Sequence, residues 1–491
     1  MNIKQIRRTL LNDQVGDFSW YLFGTIIPIL LNFIKNPIFT RYFSPQEYGY
    51  YSLVFLTFNY CSLTLYSWLS SNIWRYYYQY KNDNLLNVFF SNIGGLYLIG
   101  SIILAIITLF WYFHVESLMV KKIILFSFLY YLLNDITSLY LVMIRLEKKS
   151  KAYNLIQSLR AIINFALLSF FAFILSMRIE AMALSFFLST LAIIGYIVYS
   201  SYKKYSFFLP SLKLFSFRDS KILLTYGSVG LITNFTMLLL NNSDRYFIAL
   251  FHSMSDVGIY NQNYAIAQTS IYALTMAFMN TINPALNKKF TTDLKNSVPL
   301  MNRMMFYYLL IMAPVTFVIT YFAYEFNTLL LGKEFRSGYL ILSYVSVSLF
   351  IYGFTSFSET RLKFSNRFRV VIIAFIIACL TNIILNFFLL RHFNYIWAAK
   401  TTLISFFILY IIISIYDYQG STGFYRSYGK EITILIVITG LLLIVNHLLK
   451  IKYHLPENIV IKTVQIALNL IFLYSIGFVL FWRKRNKEPV I

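Results

Sequence analysis

The sequence predicts an all-α polytopic membrane protein, and three observations support this fold class. Hydrophobic residues make up 58% of the 491 residues and charged residues only 12%, whereas soluble proteins contain roughly 25% charged residues. Mean hydropathy is +0.64. Apolar runs of about 20 residues, the length that crosses a bilayer core, recur along the whole chain. A soluble fold is therefore excluded, and so is a membrane β-barrel, whose strands would alternate in polarity.

Hydropathy predicts about fourteen transmembrane helices. They lie near residues 18–38, 49–71, 88–113, 122–144, 155–177, 181–200, 222–241, 258–283, 304–324, 338–358, 369–390, 396–416, 431–449 and 460–482. An even number of spans places both termini on the same side of the membrane.

The net charge of +23 is distributed as the positive-inside rule requires. With fourteen spans, 28 Lys and Arg residues fall on the side of the termini and 10 on the other side. Both termini are therefore predicted to be cytoplasmic. No soluble basic module with interleaved aromatic residues is present, so the charge does not indicate a nucleic-acid partner.

The sequence contains no pattern typical of metal, disulfide or nucleotide chemistry. Cys61 and Cys379 lie in apolar runs without metal or redox spacing, and the five histidines show no paired spacing. No Walker A motif occurs. We therefore predict no catalytic residues, no metal site and no cofactor, and ATP is not the direct energy source.

An internal duplication organises the chain. An aromatic–glycine pair opens the first helix and the seventh, Arg-Tyr-Phe closes each, and an acidic-X-Gly-X-Tyr sequence enters the next helix. The two copies are Phe23–Tyr51 and Tyr226–Tyr260. Both begin from the cytoplasmic side, so the repeat is parallel. Two six-helix lobes around a central cavity are predicted, an architecture that suits alternating access.

This duplication predicts four segments. They are an N-lobe at 1–203 (helices 1–6), a cytoplasmic connection at 204–221, a C-lobe at 222–416 (helices 7–12), and helices 13 and 14 with a basic tail at 417–491.

Several stretches carry a family resemblance. They are Phe23-Gly24, Thr40–Tyr51, Arg75, Asp244-Arg245, Val257–Tyr260, Asn280–Pro284, Asn382–Asn386 and Trp397–Lys400. In order and spacing they resemble the bacterial oligosaccharide flippases, often called Wzx-type. These form the polysaccharide-transport branch of the multidrug/oligosaccharidyl-lipid/polysaccharide exporter superfamily. The resemblance covers about residues 15–420, and the Gly-Ala-Ala usual before helix 12 is Trp397-Ala398-Ala399 here.

The resemblance implies transport rather than catalysis. The expected substrate is an undecaprenyl-pyrophosphate-linked oligosaccharide repeat unit, moved from the cytoplasmic to the outer leaflet of the bacterial cytoplasmic membrane for O-antigen or capsule synthesis. Membrane lipid is an expected partner, and so are the polymerase and glycosyltransferases of the same pathway.

A flippase must shield sugars and pyrophosphate from lipid, so polar residues inside spans are candidates. A charge at a helix centre costs about 3 kcal/mol on insertion scales. Asn32, Lys35 and Asn36 share one face of helix 1. A cation flanked by two amides suits phosphate or sugar. The alternative is that Lys35 extends to the interface as a snorkelling lysine. Arg160 and Lys400 are likewise either cavity residues that bind the substrate or snorkelling residues that extend to the interface.

Asp135 is the most central acidic residue of the predicted spans. Either it pairs across helices with Lys35 or Arg160, or it titrates as a coupling-ion site.

Four further cations are candidates at the two mouths of the cavity. Arg41 and Arg245 occupy matching places in the two repeats and are predicted to frame the outer mouth, although Arg245 can instead form a local ion pair with Asp244. Arg75 and Lys363 are the corresponding candidates at the cytoplasmic mouth, where a positive-inside role also explains them.

Three other functions compete with the flippase. A cation-coupled multidrug exporter of the same superfamily would have an apolar, acidic cavity, whereas Lys35, Arg160 and Lys400 favour an anionic substrate. A membrane enzyme acting on lipid-linked glycan would be expected to carry a long outer loop, and the predicted outer loops are short. A non-transporting relative is the third alternative.

Overall fold

The computed structural model describes residues 27–201, 211–453 and 459–485, and every regular element in these ranges is helical. The first half contains α1 (Ile27–Phe39), α2 (Pro45–Asn82), α3 (Leu86–His114), α4 (Leu118–Leu146), α5 (Ser150–Ser169) and α6 (Glu180–Ser201). A π-helical turn, Phe170–Ile174, extends α5.

The second half contains a larger number of helices, because two short helices lie between predicted spans and a π-helical turn divides one span. They are α7 (Phe217–Asn242), α8 (Asp244–Phe251), α9 (Met254–Ala267), α10 (Ala273–Thr292), α11 (Val298–Tyr321), α12 (Ala323–Leu330), α13 (Tyr339–Phe364), α14 (Phe368–Leu389), α15 (Trp397–Tyr416), α16 (Tyr418–Tyr453) and α17 (Ile459–Arg485). A π-helical turn, Gln268–Tyr272, joins α9 to α10, so that both belong to the predicted eighth span.

Within the described residues each of the fourteen predicted spans overlaps helical structure, the first of them over 27–38, and the all-α polytopic fold class is confirmed. Among the described residues, ten helices are long and apolar enough to cross a membrane. The second span of each repeat, α2 and α9–α10, is not among the ten. Tyr, Asn, Gln, Ser and Thr interrupt the apolar sequence of both. These two spans are therefore long enough to cross a membrane but contain many polar residues.

Both copies of the acidic sequence motif form the same local structure, a capping box at a helix start. At α2, the Glu47 amide donates to Ser44 Oγ at 3.4 Å, and the Ser44 amide donates to Glu47 Oε2 at 2.9 Å. At α9, the equivalent bonds between Ser253 and Asp256 are both 3.2 Å. The repeat detected in the sequence is thus a repeated helix N-terminus.

The chain divides into two compact units, Met1–Leu238 and Leu239–Ile491. In the N-terminal unit, α4 packs between α2 and α6. In the C-terminal unit, α13 packs against α15 and α11, and α16 and α17 pack against α11. Residues 204–210 of the predicted connection at 204–221 lie outside the described residues, whereas Leu212–Leu214 form a 3₁₀ turn and α7 begins at Phe217. The predicted lobe limits stay a prediction.

Ion pairs tie helix ends together in the N-terminal unit. Arg178 Nε lies 2.8 Å from Glu47 Oε1, and Lys122 Nζ lies 3.4 Å from Glu180 Oε1. The charge distribution assigns all four residues to the outer side of the membrane. The pairing of these helix ends therefore agrees with the predicted alternation of spans.

The carboxylate of Glu147 joins helix ends at the opposite side. Tyr77 Oη donates to Glu147 Oε1 at 2.7 Å, and the Lys149 ammonium contacts the second oxygen. Burial alone would raise the pKa of Glu147, but the hydrogen bonds from Lys149 and Tyr77 outweigh burial and leave this pKa below its ordinary value. The ionised carboxylate therefore holds the end of α2 against the turn between α4 and α5.

Candidate functional site

A cavity of about 420 Å³ lies within the N-terminal unit, among α1, α4, α5 and α6; we call it the N-unit cavity. It is lined by Pro28, Ile29, Leu31, Asn32, Lys35, Tyr130, Arg145, Tyr153, Asn154, Gln157, Arg160, Ala161, Asn164 and Phe186. Three of these residues are cationic, four carry side-chain amides and none is acidic. The cavity is therefore positively charged and rich in hydrogen-bonding groups.

Lys35 reaches from α1 across the unit towards α5 and α6. Its ammonium donates a hydrogen bond to Asn164 Oδ1 and lies 5.0 Å from the centroid of the Phe186 ring. Asn164 Nδ2 in turn donates to Ser185 Oγ at 3.1 Å. An amide, a hydroxyl and an aromatic face therefore hold the cation without neutralising it. A snorkelling lysine would extend along its own helix instead.

Arg160 lines the same cavity from α5. Its Nη1 donates to Asn134 Oδ1 at 2.9 Å, the one hydrogen bond that the guanidinium makes within the described part of the chain. A guanidinium carries five N–H donors, so most of them remain for a ligand.

The structure brings Asn32, Lys35 and Arg160 together in this cavity, and it places Asn36 outside the lining. Asn36 follows Lys35 directly, and its carbonyl accepts a 2.5 Å hydrogen bond from Thr40 Oγ1. The predicted polar face of helix 1 is thus split. Only its first two members border the cavity.

Sequence reasoning missed a polar stripe on α5 that contributes to the cavity wall. Tyr153, Gln157, Arg160 and Asn164 are spaced by four, three and four residues, so they share one helix face. Arg145 was also missed; it contacts the Tyr153 hydroxyl, and its guanidinium lies 4.1 Å from the Tyr153 ring centroid. The helical spacing of these polar residues was the signal that could have revealed them.

Asp135 is buried on α4, with 7% of its surface exposed, and it does not belong to the lining of the N-unit cavity. Its Oδ1 accepts a 2.8 Å hydrogen bond from Ser62 Oγ, and its Oδ2 has no partner within the described ranges. Neither Lys35 nor Arg160 pairs with it in those ranges. The predicted ion pair is therefore not formed in this conformation, and the coupling role of Asp135 stays a prediction.

Asp244 anchors a buried polar network in the C-terminal unit. It is fully buried and accepts hydrogen bonds from Asn386 Nδ2 at 2.7 Å, from Thr402 Oγ1 at 2.8 Å and from the Tyr260 hydroxyl. Asn386 also donates to Asn382 Oδ1 at 3.0 Å. The network connects α8, α9, α14 and α15.

The two arginines predicted to frame the outer mouth have different environments. Arg41 is exposed and donates to the carbonyl of Pro37. Arg245 is 3% exposed; it donates to Asn261 Oδ1 at 3.2 Å and lies 4.3 Å from the Tyr264 ring centroid. The matching sequence positions therefore do not have matching exposure, and a shared role at the mouth stays a prediction.

The remaining candidates lie elsewhere. The Lys400 ammonium lies 4.0 Å from the ring centroid of Trp397 on α15. Lys363 Nζ lies 2.6 Å from Glu359 Oε1, one helical turn away on α13. Arg75 is exposed on α2. The roles of Lys400 in substrate binding and of Arg75 and Lys363 at the cytoplasmic mouth stay predictions.

Comparison with solved structures identifies the fold. The lipid II flippase MurJ, in an inward closed conformation, is 14% identical; the match covers 94% of this chain and 98% of that chain with a TM-score of 0.70. A mutant of the Vibrio cholerae MATE transporter VcmN is 13% identical, with 85% and 99% coverage and a TM-score of 0.56. An inward-facing multidrug resistance MATE family transporter of the MOP superfamily is 16% identical, with 83% and 98% coverage and a TM-score of 0.54.

At these identities the likeness establishes a shared fold. No curated protein matches the sequence. Residues 15–290 match the family described as polysaccharide biosynthesis protein. Because this match extends over more than half of the sequence, the chain belongs to the polysaccharide biosynthesis protein family.

Proposed function

We propose that this protein is a flippase for undecaprenyl-pyrophosphate-linked oligosaccharide repeat units. It moves them from the cytoplasmic to the outer leaflet of the bacterial cytoplasmic membrane by alternating access, for the synthesis of a surface polysaccharide such as O-antigen or capsule. The observation that carries the proposal is the N-unit cavity, which contains three cations and four amides and no carboxylate in its lining. Membership of a polysaccharide biosynthesis family supports it.

The pyrophosphate is the part of the substrate that requires cations. Lys35 donates a hydrogen bond to the neutral side-chain amide of Asn164, and Arg160 donates one to that of Asn134. Both bonds have an ionised donor already, but a phosphate oxygen also carries negative charge and adds a Coulomb attraction that a neutral amide lacks. A phosphate oxygen therefore displaces these amides favourably, and no lining carboxylate competes with it.

The sugars require neutral hydrogen-bonding groups and flat surfaces. Asn32, Asn154 and Gln157 supply amide donors and acceptors, and Tyr130 and Tyr153 supply hydroxyl groups and ring faces. The cavity volume of about 420 Å³ lies in the range of about 300–1,000 Å³ that is usual for small-ligand sites. It suits a headgroup, with the prenyl chain remaining in the bilayer.

The ends of the lining helices agree with loading from the cytoplasm. Arg145 lies at the last turn of α4 and Tyr153 at the first turn of α5, and both border the cavity. The charge distribution predicts that the loop between these helices is cytoplasmic. A substrate assembled in the cytoplasm would therefore meet Arg145 before Arg160 and Lys35.

Asp135 is the proposed coupling residue. Its neighbour Asn134 holds Arg160, and its own Oδ2 lacks a partner among the described residues. A proton or cation arriving at Asp135 would change the charge beside the Asn134–Arg160 contact. In this proposal the ion gradient is coupled to headgroup binding because Asp135 directly follows Asn134, the residue that binds Arg160.

The test is a flipping assay in proteoliposomes with purified protein and a labelled undecaprenyl-pyrophosphate oligosaccharide. We expect wild-type protein to make the sugar accessible to a membrane-impermeant reagent in the opposite leaflet. Loss of one charge-assisted contact, about 1.5–3 kcal/mol, predicts at least about tenfold slower flipping for Lys35→Gln and Arg160→Gln. The matched control, Lys288→Gln, changes an exposed cation on α10 and should flip normally.

Other outcomes would contradict the proposal. Transport of cationic drugs without flipping of the glycolipid would indicate a multidrug exporter. A chemically altered glycan would indicate an enzyme. Equal activity of Lys35→Gln, Arg160→Gln and wild type would remove the N-unit cavity from the mechanism.

A further inference from the structure

The segment that leads into α7, residues 211–216, packs against the first turns of α3; we call it the docked segment. Its Ser211 amide donates to Ser91 Oγ at 3.0 Å, and its Ser216 amide donates to Asn92 Oδ1 at 2.8 Å. The side chains of Ser91 and Asn92 are both buried. Two neighbouring polar residues of α3 therefore bind the two ends of the docked segment.

Asn92 is the centre of this contact. Its Nδ2 donates to the Val88 carbonyl of its own helix at 3.1 Å, which leaves Oδ1 to accept from the docked segment. The same Oδ1 accepts a hydrogen bond from Ser220 Oγ at 3.3 Å, in the first turn of α7. Ser216 Oγ accepts the Asp219 amide at 3.4 Å, as the N-cap of a helix does. One side chain of α3 thus holds both the docked segment and the helix start that follows it.

Gly95 supplies the space for the docked segment. It lies three residues after Asn92, so both residues are on the same side of α3. The Phe215 ring rests directly on the backbone of Gly95, and a methyl group at position 95 would overlap the ring. The segment can therefore dock only where α3 lacks a side chain.

A further contact holds α7 beyond its first turn. Asn72 of α2 is fully buried, and its Nδ2 donates to the Leu223 carbonyl at 2.9 Å. The compact N-terminal unit accordingly extends to Leu238, although the internal repeat predicts that the C-lobe begins at residue 222. The start of α7 is therefore packed with helices of the first repeat.

The last residues of α7 belong to the other unit. The boundary between the two compact units falls within α7, after Leu238. Ser243, directly after α7, donates through Oγ to Asn382 Oδ1 at 3.1 Å, and Asp244 with its buried network follows. A helix that begins in one unit and ends in the other needs a defined attachment at each end.

We propose that Ser91, Asn92 and Gly95 are positioning residues for transport, which keep the start of α7 in the N-terminal unit throughout the transport cycle. In alternating access each half moves largely as a rigid body, so the attachment decides which half carries the start of α7. The effect on flipping rests on the proposed function, whereas the attachment itself does not.

Hydrogen exchange of the Ser211 and Ser216 amides tests the attachment, because these amides are the donors. Full-length protein in lipid nanodiscs is measured with and without the undecaprenyl-pyrophosphate oligosaccharide, and single amides are resolved by fragmentation mass spectrometry. We expect both amides to be protected under both conditions. Asn92→Ala should accelerate exchange at Ser216 about tenfold, the effect of one lost buried hydrogen bond, and should slow flipping. Thr108→Ala, at a buried hydroxyl of α3 that bonds its own helix, is the control and should match wild type.

A second set of variants addresses the space at Gly95. Gly95→Leu should displace Phe215, release both amides to exchange and abolish most flipping per folded molecule. Phe215→Ala in the same chain removes the overlapping ring, so the double variant should recover protection and flipping. The matched control is Gly195→Leu on α6, where nothing lies within 4 Å of the added Cβ. If Gly95→Leu gives no monodisperse protein on gel filtration, Asn92→Ala decides the question in both assays.

Three results would overturn the proposal. They are rapid exchange of both amides in wild type, exchange that becomes rapid only when the glycolipid is added, and normal flipping by variants in which exchange shows that the segment is released. Protected amides in a wild-type protein that does not flip the glycolipid would instead remove the flippase function and support the attachment. The two proposals can therefore fail separately.

Discussion

The Lys35 site and the Asp244 network are built from equivalent helices of the two repeats and carry opposite charges. In the N-terminal unit, Lys35 from the first helix meets Asn164 of the fifth and, through it, Ser185 of the sixth. In the C-terminal unit, Asp244, directly after the corresponding helix, meets Asn386 and Thr402 of the eleventh and twelfth helices. An amide and a hydroxyl therefore accompany the central charge in both repeats.

The two sites differ in how completely the charge is satisfied. Asp244 is fully buried and accepts hydrogen bonds from three side chains, so its network is closed. Among the described residues Lys35 has one hydrogen-bond acceptor, and it borders the N-unit cavity. A closed network suits structural stability, whereas a cation with few partners suits exchange with a ligand. The predicted repeat therefore pairs a closed network in one unit with an incompletely satisfied charge in the other.

The largest effect is expected for charge reversal at Lys35. Lys35→Glu should abolish export of the surface polysaccharide, because a carboxylate in the N-unit cavity repels pyrophosphate. Surface polysaccharide and protein level are measured in the same cells. Lys35→Arg retains the charge and should restore part of the export. Normal export by Lys35→Glu at normal protein level would make Lys35 a snorkelling residue.

Asp244→Ala should act on stability first. It leaves the Tyr260 hydroxyl without a partner among the described residues, whereas Asn386 Nδ2 keeps its bond to Asn382 Oδ1 and the Thr402 hydroxyl keeps its bond to the Ala398 carbonyl. One unsatisfied buried donor predicts about 1–3 kcal/mol of lost stability. The measurement is the thermal unfolding of detergent-purified protein. Asp293→Asn, at an exposed carboxylate paired with Lys289, is the control and should leave the unfolding temperature almost unchanged, because solvent screens exposed ion pairs. Equal unfolding temperatures for both variants would mean that the network is not structural.

A smaller, more specific effect is expected at Asp135. Asp135→Asn should preserve the amount of folded protein and reduce the dependence of flipping on an imposed proton or sodium gradient. Proteoliposomes with and without the gradient provide the measurement. Ser62→Ala, which removes the hydrogen bond to Asp135, is the companion variant and should shift the dependence without abolishing it. An unchanged gradient profile in Asp135→Asn would leave this residue structural.

The smallest effect is expected at the capping boxes, where the two repeats agree. Ser44→Ala and Ser253→Ala each remove the side-chain acceptor of a helix N-terminus and should each cost about 1 kcal/mol. Hydrogen exchange in the first turns of α2 and α9 measures both. Similar acceleration would support the structural equivalence of the two helix starts. A large effect in one repeat alone would show that the two helix starts share a sequence motif without contributing equally to stability.

Several features of the site could be predicted because they are energetically costly in a membrane. The helices follow from apolar runs, and Lys35 and Arg160 stand out because charges inside spans are rare. Gln157 and Asn164 were missed because uncharged amides stand out less against apolar sequence. Arg145 was missed because the positive-inside rule already accounted for it.

Other features depend on distances between helices that no local pattern encodes. A cavity of about 1170 Å³ among α11, α12, α13, α16 and α17, for example, depends on how these helices pack together. The difference in exposure between Arg41 and Arg245 likewise arises from tertiary packing, since Arg245 lies against Tyr264 and Asn261. Sequence repeats predict equivalent helices but not equivalent surroundings.

Site-specific photo-crosslinking tests the central claim most directly, because Gln157 lines the N-unit cavity. A photoreactive amino acid replaces Gln157, and the protein is irradiated with the labelled undecaprenyl-pyrophosphate oligosaccharide in phospholipid vesicles. We predict a glycolipid adduct at position 157 that is lost in Lys35→Glu. No adduct at position 157, or an adduct that survives Lys35→Glu, would contradict this claim.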